Sequence, residues 1–233
     1  MNHSRVWREV WLVLAVLVAG TALIAATGAD LTVASHFYRS GGWPTGEQFP
    51  WKLLYRLDRY PALAVAIFGL FAACYSYYRP DWRVWRRQGA FLVLLLALGP
   101  GLLVNATFKD HWGRPRPREL VQFGGTKAFM QPWQPRINGD GRSFPCGHGS
   151  AAFYLAAPYF IYRRRKPRVA QRWLFGGMTF GLLMSYARLA QGGHFLSDIL
   201  WAWGIVWLSA LALAAFLLPD QESETNSCCA LQQ

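Results

Sequence analysis

Negative charge is what this chain has least of. Only 12 Asp and Glu stand against 24 Lys and Arg in 233 residues. Four long apolar stretches, at 61–78, 89–107, 173–187 and 199–218, contain no Asp, Glu, Lys, Arg or His at all. Ion and proton pathways across a membrane need ionisable groups inside it, so this absence argues against an ion-coupled transporter. Cysteine is also sparse, with four residues at Cys74, Cys146, Cys228 and Cys229, a scatter that offers no disulfide framework. The terminal CCALQQ has no cysteine fourth from the end and so is not a prenylation box. There is no internal repeat, and the low-complexity content is confined to a polar tail from Asp220 onward.

What is present is apolar and aromatic. Hydrophobic residues make up 53% of the chain and aromatic residues 16%, both in the direction of membrane proteins. Six runs approach the roughly 20 residues that a bilayer-crossing helix needs, at 10–27, 61–78, 89–107, 148–162, 173–187 and 199–218. The fourth is short and carries Pro158, which predicts a kink. The expectation is an all-α integral membrane bundle of six transmembrane helices in one domain, 1–218, with a catalytic core at 105–200 and a short polar cytoplasmic tail at 219–233. Arg5 and Arg8 precede the first run in the manner of a signal peptide, but its apolar length exceeds a usual signal core and favours a retained span.

The excess of basic residues is concentrated in two short connections. One holds Arg79, Arg83, Arg86 and Arg87; the other holds Arg163, Arg164, Arg165, Lys166, Arg168 and Arg172. Such loops mark the cytoplasmic side, which explains the charge without nucleic acid as a partner. Residues 30–60 form an outer connection in which 52–60 has the pattern of a short amphipathic helix, serving either as a lipid-entry lip or as packing.

Three clusters lie on the opposite side from the Arg-rich loops. The first is KDHWGRPRP, with Lys109 and Arg116; the second is Pro145-Cys146-Gly147-His148; the third is Arg188-LAQGG-His194-FLS-Asp198. Lys109, Arg116 and Arg188 form a clamp of the kind that forks onto phosphate oxygens. On a helix, His194 and Asp198 share one face, and a carboxylate on one ring nitrogen leaves the other nitrogen basic and aimed. Such an imidazole can attack phosphorus to give a phosphohistidine. His148 opens a helix, where backbone N–H groups favour an anion, and can protonate a leaving oxygen. Gly192-Gly193 permits close approach to a ligand. A cluster with three cations and one carboxylate repels a divalent metal, so no metal and no cofactor is expected. A cysteine-phosphatase signature would require Arg six residues after Cys146, where Ala152 stands.

Taken together, Lys-x6-Arg-Pro, Pro-x-Gly-His and Arg-x5-His-x3-Asp resemble the motifs of the type 2 phosphatidic acid phosphatase (PAP2) superfamily, in its membrane-bound lipid phosphatase branch. The resemblance implies a metal-independent hydrolase of a lipid phosphate or diphosphate, with His194 as nucleophile, Asp198 as its partner and His148 as general acid. Lys109, Arg116, Arg188, Cys146 and the Gly147 N–H would bind the phosphate. Two positions depart from the family pattern, Cys146 and Ala187, where serines are usual. By resemblance the candidate substrates are undecaprenyl diphosphate, phosphatidate or phosphatidylglycerol phosphate, and the lipid A phosphates, reached from the periplasmic face of a bacterial inner membrane. A phosphotransferase using the same intermediate and a non-catalytic phospholipid binder or transporter are the alternatives. The loop 119–143 is read as a headgroup cover or a structural plug. Its Lys127 and Arg136, with His111 and Arg114, are candidate headgroup contacts; Arg114 otherwise reads as a solvated loop charge.

Overall fold

The computed structural model describes residues 3–136 and 139–218. The expected tail at 219–233, with Cys228 and Cys229, lies outside the described residues. Within them the chain is helical, and extended pairing is limited to two isolated bridges. The first long helix, α1 (His3–Thr27), ends at Gly28, whose φ of 63° turns the chain into α2 (Ala29–Phe37). Two short helices follow, α3 (Pro44–Glu47) and α4 (Trp51–Leu57), then α5 (Tyr60–Tyr75) and α6 (Arg83–Leu96). Helix α6 continues into a π-helical stretch, Ala97–Lys109, around Pro100. Proline has no N–H to give the ladder, and the Asn105 side-chain amide donates to the Pro100 carbonyl at 2.6 Å. The chain then runs through a long coil to α7 (Gly147–Phe153), a 3-10 turn at Tyr154–Ala156, α8 (Pro158–Tyr162), α9 (Pro167–Ala190) and α10 (Leu196–Leu217).

Among the described residues four helical stretches are long and apolar enough to cross a membrane: Ser4–Thr27, Trp51–Tyr75, Pro80–Lys109 and Leu196–Leu217. The other two runs read from sequence take different forms. The run 148–162 is interrupted ahead of Pro158, as its proline predicts, into α7, the 3-10 turn and α8. Helix α9 has 24 residues, a length of about 36 Å at the α-helical rise, but carries Arg168, Arg172 and Arg188. It nevertheless turns Phe175 and Leu182 outward, 70% and 59% exposed.

Helices pack here through small residues. A Cβ at Gly204 would lie 2.5 Å from a Leu17 methyl, and one at Gly20 would lie 2.8 Å from a Leu200 methyl, so α1 and α10 exchange a leucine for a glycine twice along their seam. Close backbone approach of this kind is how helices associate where lipid competes equally for apolar surface. Phe91, Leu95, Tyr154, Phe160 and Leu211 fill the centre, and the Tyr154 hydroxyl donates to the Leu92 carbonyl at 2.9 Å. One end of the bundle gathers Lys109, the start of α7, the end of α9 and the start of α10. Helix α4 packs against α9 at that end, with the Trp51 and Tyr186 rings 4.4 Å apart.

Candidate active site

Backbone contacts draw the three clusters together. The Arg118 N–H donates to the Gly192 carbonyl and the Cys146 N–H to the Asp198 carbonyl, each at 3.1 Å. A Cβ at Gly147 would sit 2.5 Å from Asn105 Oδ1 and 3.1 Å from Lys109 Nζ, so the second cluster lies directly on the first. Cys146 caps α7, its sulfur accepting from the Gly149 N–H at 3.3 Å, which confirms that His148 opens a helix.

His194 is 1% exposed, and its surroundings correct one expectation. Helix α10 starts at Leu196, so His194 and Asp198 are not helical i,i+4 neighbours; Asp198 sits in the first turn and accepts from the Phe195 N–H at 2.8 Å. The nearest acceptor for His194 Nδ1 is the Ser143 carbonyl at 2.7 Å, with the Asp198 carboxylate at 3.6 Å. This contact requires the proton on Nδ1, which leaves Nε2 with its lone pair. Nε2 is buried and has no hydrogen-bond partner.

Two more buried nitrogens lack partners here, Arg116 Nε and Arg188 Nε. Buried polar atoms are almost always satisfied, and here two cationic donors are left free to meet an anion beside the Nε2 lone pair. Arg116 is held by its backbone: its N–H donates to Glu119 Oε2 at 3.0 Å, and Pro117 follows it. Burial, then the nearby Arg118 charge, moves the Arg116 pKa below the ordinary guanidinium value. Arg188 is 4% exposed, bonds Gln191 Oε1 and lies 4.8 Å over the Tyr55 ring. A Cβ at Gly193 would come within 2.3 Å of its guanidinium, so this glycine makes room for Arg188 itself. Gly192, with φ of 57°, backs onto the Trp43 ring.

His148 stacks on Tyr55, with ring centroids 5.1 Å apart, and its Nε2 lies 3.3 Å from Asp58 Oδ2. Helix α4 and the residue after it thus form one wall of the site. Cys146 is fully buried. Burial pushes its thiol pKa up, but His194 and Arg188 pull it down by more, leaving it below the ordinary thiol value.

The candidate headgroup contacts divide. Arg114 is neither solvated nor able to meet a headgroup, because its side chain is 0% exposed. One terminal nitrogen donates to Asp198 Oδ1 at 2.5 Å and Ser197 Oγ at 2.8 Å, the other to Asp30 Oδ2 at 2.8 Å, and Nε to the Met130 carbonyl at 2.9 Å. Phe195 lies against its face at 4.4 Å. His111 is exposed, with its ring bonded back to the Thr107 carbonyl. Lys127 is engaged by Asp140 at 2.8 Å and Glu119 at 3.5 Å, and the Asp140 bond raises its pKa. The Arg136 side chain is exposed.

Asp30, Ser143, Ser197, Tyr55 and Asp58 escape the sequence reading. Asp30 follows directly on an apolar run, where an acidic residue ordinarily reads as the polar edge of a span. Only the repeated local pattern Arg-Pro-Arg-Pro hints that one of its arginines has a separate task.

With this geometry in place, the family model for the "PAP2 superfamily" matches residues 88–221. The lipid A 4'-phosphatase of Francisella tularensis subsp. novicida (strain U112) is 32% identical over 203 residues, covering 83% of this chain and 88% of that protein. The lipid A 4'-phosphatase of Rhizobium leguminosarum is 30% identical over 195 residues, covering 80% of this chain and 78% of its own. Among solved structures, a transmembrane PAP2-type phosphatidylglycerolphosphate phosphatase from Bacillus subtilis superimposes with a TM-score of 0.58 at 18% identity, covering 89% of this chain and 94% of that one. The apolar helices and this company make the chain an integral membrane protein. The chain belongs to the PAP2 superfamily, in its membrane-embedded branch of lipid phosphate hydrolases.

Proposed function

We propose that this protein removes a phosphate from a phosphorylated sugar lipid of the lipid A type, at the outer face of the membrane, through a phosphohistidine on His194. The observation that carries the reaction is the buried, unpartnered Nε2 of His194 beside the orphan nitrogens of Arg116 and Arg188. The choice of lipid is supported by the relatives named as lipid A 4'-phosphatases, which match this chain along most of their length.

In the first step the Nε2 lone pair bonds to phosphorus. The bond from phosphorus to the lipid oxygen breaks, and its electron pair leaves with that oxygen, which takes a proton from His148, a ring that takes up this proton from water when the phosphate anion binds beside it. The Nδ1–H stays on the Ser143 carbonyl, so the phosphorylated ring carries one positive charge. In the second step water attacks phosphorus, His148 takes its proton, and the nitrogen–phosphorus bond breaks to release phosphate and restore the imidazole. Lys109, Arg116 and Arg188 hold the non-bridging oxygens throughout, and no metal enters either step. The sidedness is supported by the two Arg-rich connections, which lie at the ends of their helices away from the site. Six spans fit this layout, with α7–α8 and α9 completing the four longer apolar stretches.

The test is phosphate release by the purified protein, with chelator present, from lipid A, phosphatidate, phosphatidylglycerol phosphate and undecaprenyl diphosphate. Lipid A should be preferred. His194→Ala should lose at least about 10⁴-fold and trap no base-stable, acid-labile phosphoenzyme. Retained turnover in His194→Ala would end the nucleophile assignment.

A further inference from the structure

Arg114 is bound by two carboxylates, not one. Asp198 and Asp30 take opposite ends of its guanidinium, at 2.5 and 2.8 Å, and all three side chains are at most 3% exposed. Asp30 is further fixed by Ser197, whose N–H donates to Oδ1 at 2.9 Å and whose hydroxyl donates to Oδ2 at 2.6 Å. One carboxylate would suffice to neutralise the arginine. The second leaves the buried hub with a unit of negative charge, which is costly unless a cation stands near it. His194, whose ring turns cationic once Nε2 bonds phosphorus, is that neighbour: it lies 3.6 Å from Asp198, and Ser143, whose carbonyl accepts its Nδ1–H, also donates its hydroxyl to Asp198 at 2.5 Å. Cys146 and His148 also feel the His194 ring, and Arg188 acts on both of them. Asp30 lies on α2, outside the stretch 88–221 that matches the family.

We propose that Asp30 is a positioning residue of the catalytic site, acting through Arg114 and Asp198 to supply the negative charge that balances the cationic phosphohistidine. This rests on the assignment of His194 as nucleophile. The hub is set up before substrate arrives, with Arg114 as the fixed bridge, so the charge that develops on His194 meets an oppositely charged, water-free environment. The short α2 helix thereby becomes part of the reaction, although it touches no substrate.

The experiment compares Asp30→Asn, Asp30→Glu and Ser197→Ala in the full-length protein in nanodiscs. Dioleoyl phosphatidate serves as the probe, with kcat, KM, alkali-quenched phosphoenzyme and thermal midpoint measured for each. Asn keeps the shape of Asp and loses the charge, whereas Glu keeps the charge and changes the shape. Asp30→Asn should lower kcat about 10- to 100-fold with KM within about threefold, and phosphoenzyme should form correspondingly more slowly. Asp30→Glu should keep at least about tenfold more kcat than Asp30→Asn. Ser197→Ala removes the hydroxyl support for Asp30 but none of the charge, and should lose the least. The proposal is overturned if Asn performs as well as Glu, if Ser197→Ala loses as much as Asp30→Asn, or if the losses follow the thermal midpoint alone. A His194→Ala control separates the two assignments: its retained activity defeats the nucleophile, while a dead His194→Ala beside an unimpaired Asp30→Asn defeats Asp30 alone.

Discussion

Arg114 and Arg116 are separated by a single proline, yet they have opposite surroundings. Arg114 spends every side-chain nitrogen on the protein, with two carboxylates, a hydroxyl and a carbonyl as acceptors. Arg116 keeps a buried Nε without any acceptor. The same chemical group is thus a structural bolt at one position and a ligand-seeking donor two residues later. The acceptors explain how: carboxylates reach Arg114 from α2 and from α10, and none reaches the Nε of Arg116.

Substitution should break this comparison cleanly. Arg114→Ala strands two buried carboxylates and should cost about 3–5 kcal/mol of stability, read as a large drop in thermal midpoint and in yield of folded protein, with activity lost as a consequence. Arg116→Ala should leave the midpoint unchanged and lower kcat about 10²–10³-fold. Should Arg116→Ala unfold the protein, or Arg114→Ala fold normally, the division between the two sides of His194 fails. Excising 126–134 tests the same division from the loop. It removes the Met130 carbonyl that holds Arg114 and the Pro132 carbonyl that holds Trp112, at 2.9 and 2.8 Å. Turnover of lipid A and of a small soluble phosphoester should therefore fall together; a change in substrate preference alone would assign the loop to the headgroup.

The smallest effect belongs to Cys146. Its pKa lies below the ordinary thiol value, so rising pH converts it early to a thiolate, an added negative charge in a site for phosphate. kcat/KM of the wild type should decline on the alkaline side. Cys146→Ser should match the wild type within about threefold at neutral pH, since both groups can donate, and should hold its activity to higher pH. Superimposable alkaline limbs would remove Cys146 from the phosphate side.

That Lys109, Arg116, His148, Arg188, His194 and Asp198 come together was legible because their short clusters carry glycines and prolines that dictate local backbone. The break at Pro158 was legible for the same reason. Arg114 was not, since a cation flanked by prolines in a polar loop reads as solvated until its acceptors are known. Those acceptors lie 84 residues away on either side, at Asp30 and Asp198. Tyr55 and Asp58 were hidden similarly: the amphipathic pattern of 52–60 was visible, but not that α4 packs on α9 and faces His148. The pairing of His194 with Asp198 was misjudged in geometry because their spacing suits a helix that in fact begins between them.

Gly193 carries a practical consequence. A Cβ there would meet the tip of Arg188 first, since its three nearest atoms all belong to that guanidinium. A methyl at this one position would displace a single charge from an otherwise intact scaffold. It offers experimenters an assembled protein in which the hold of one guanidinium on phosphate can be weighed alone.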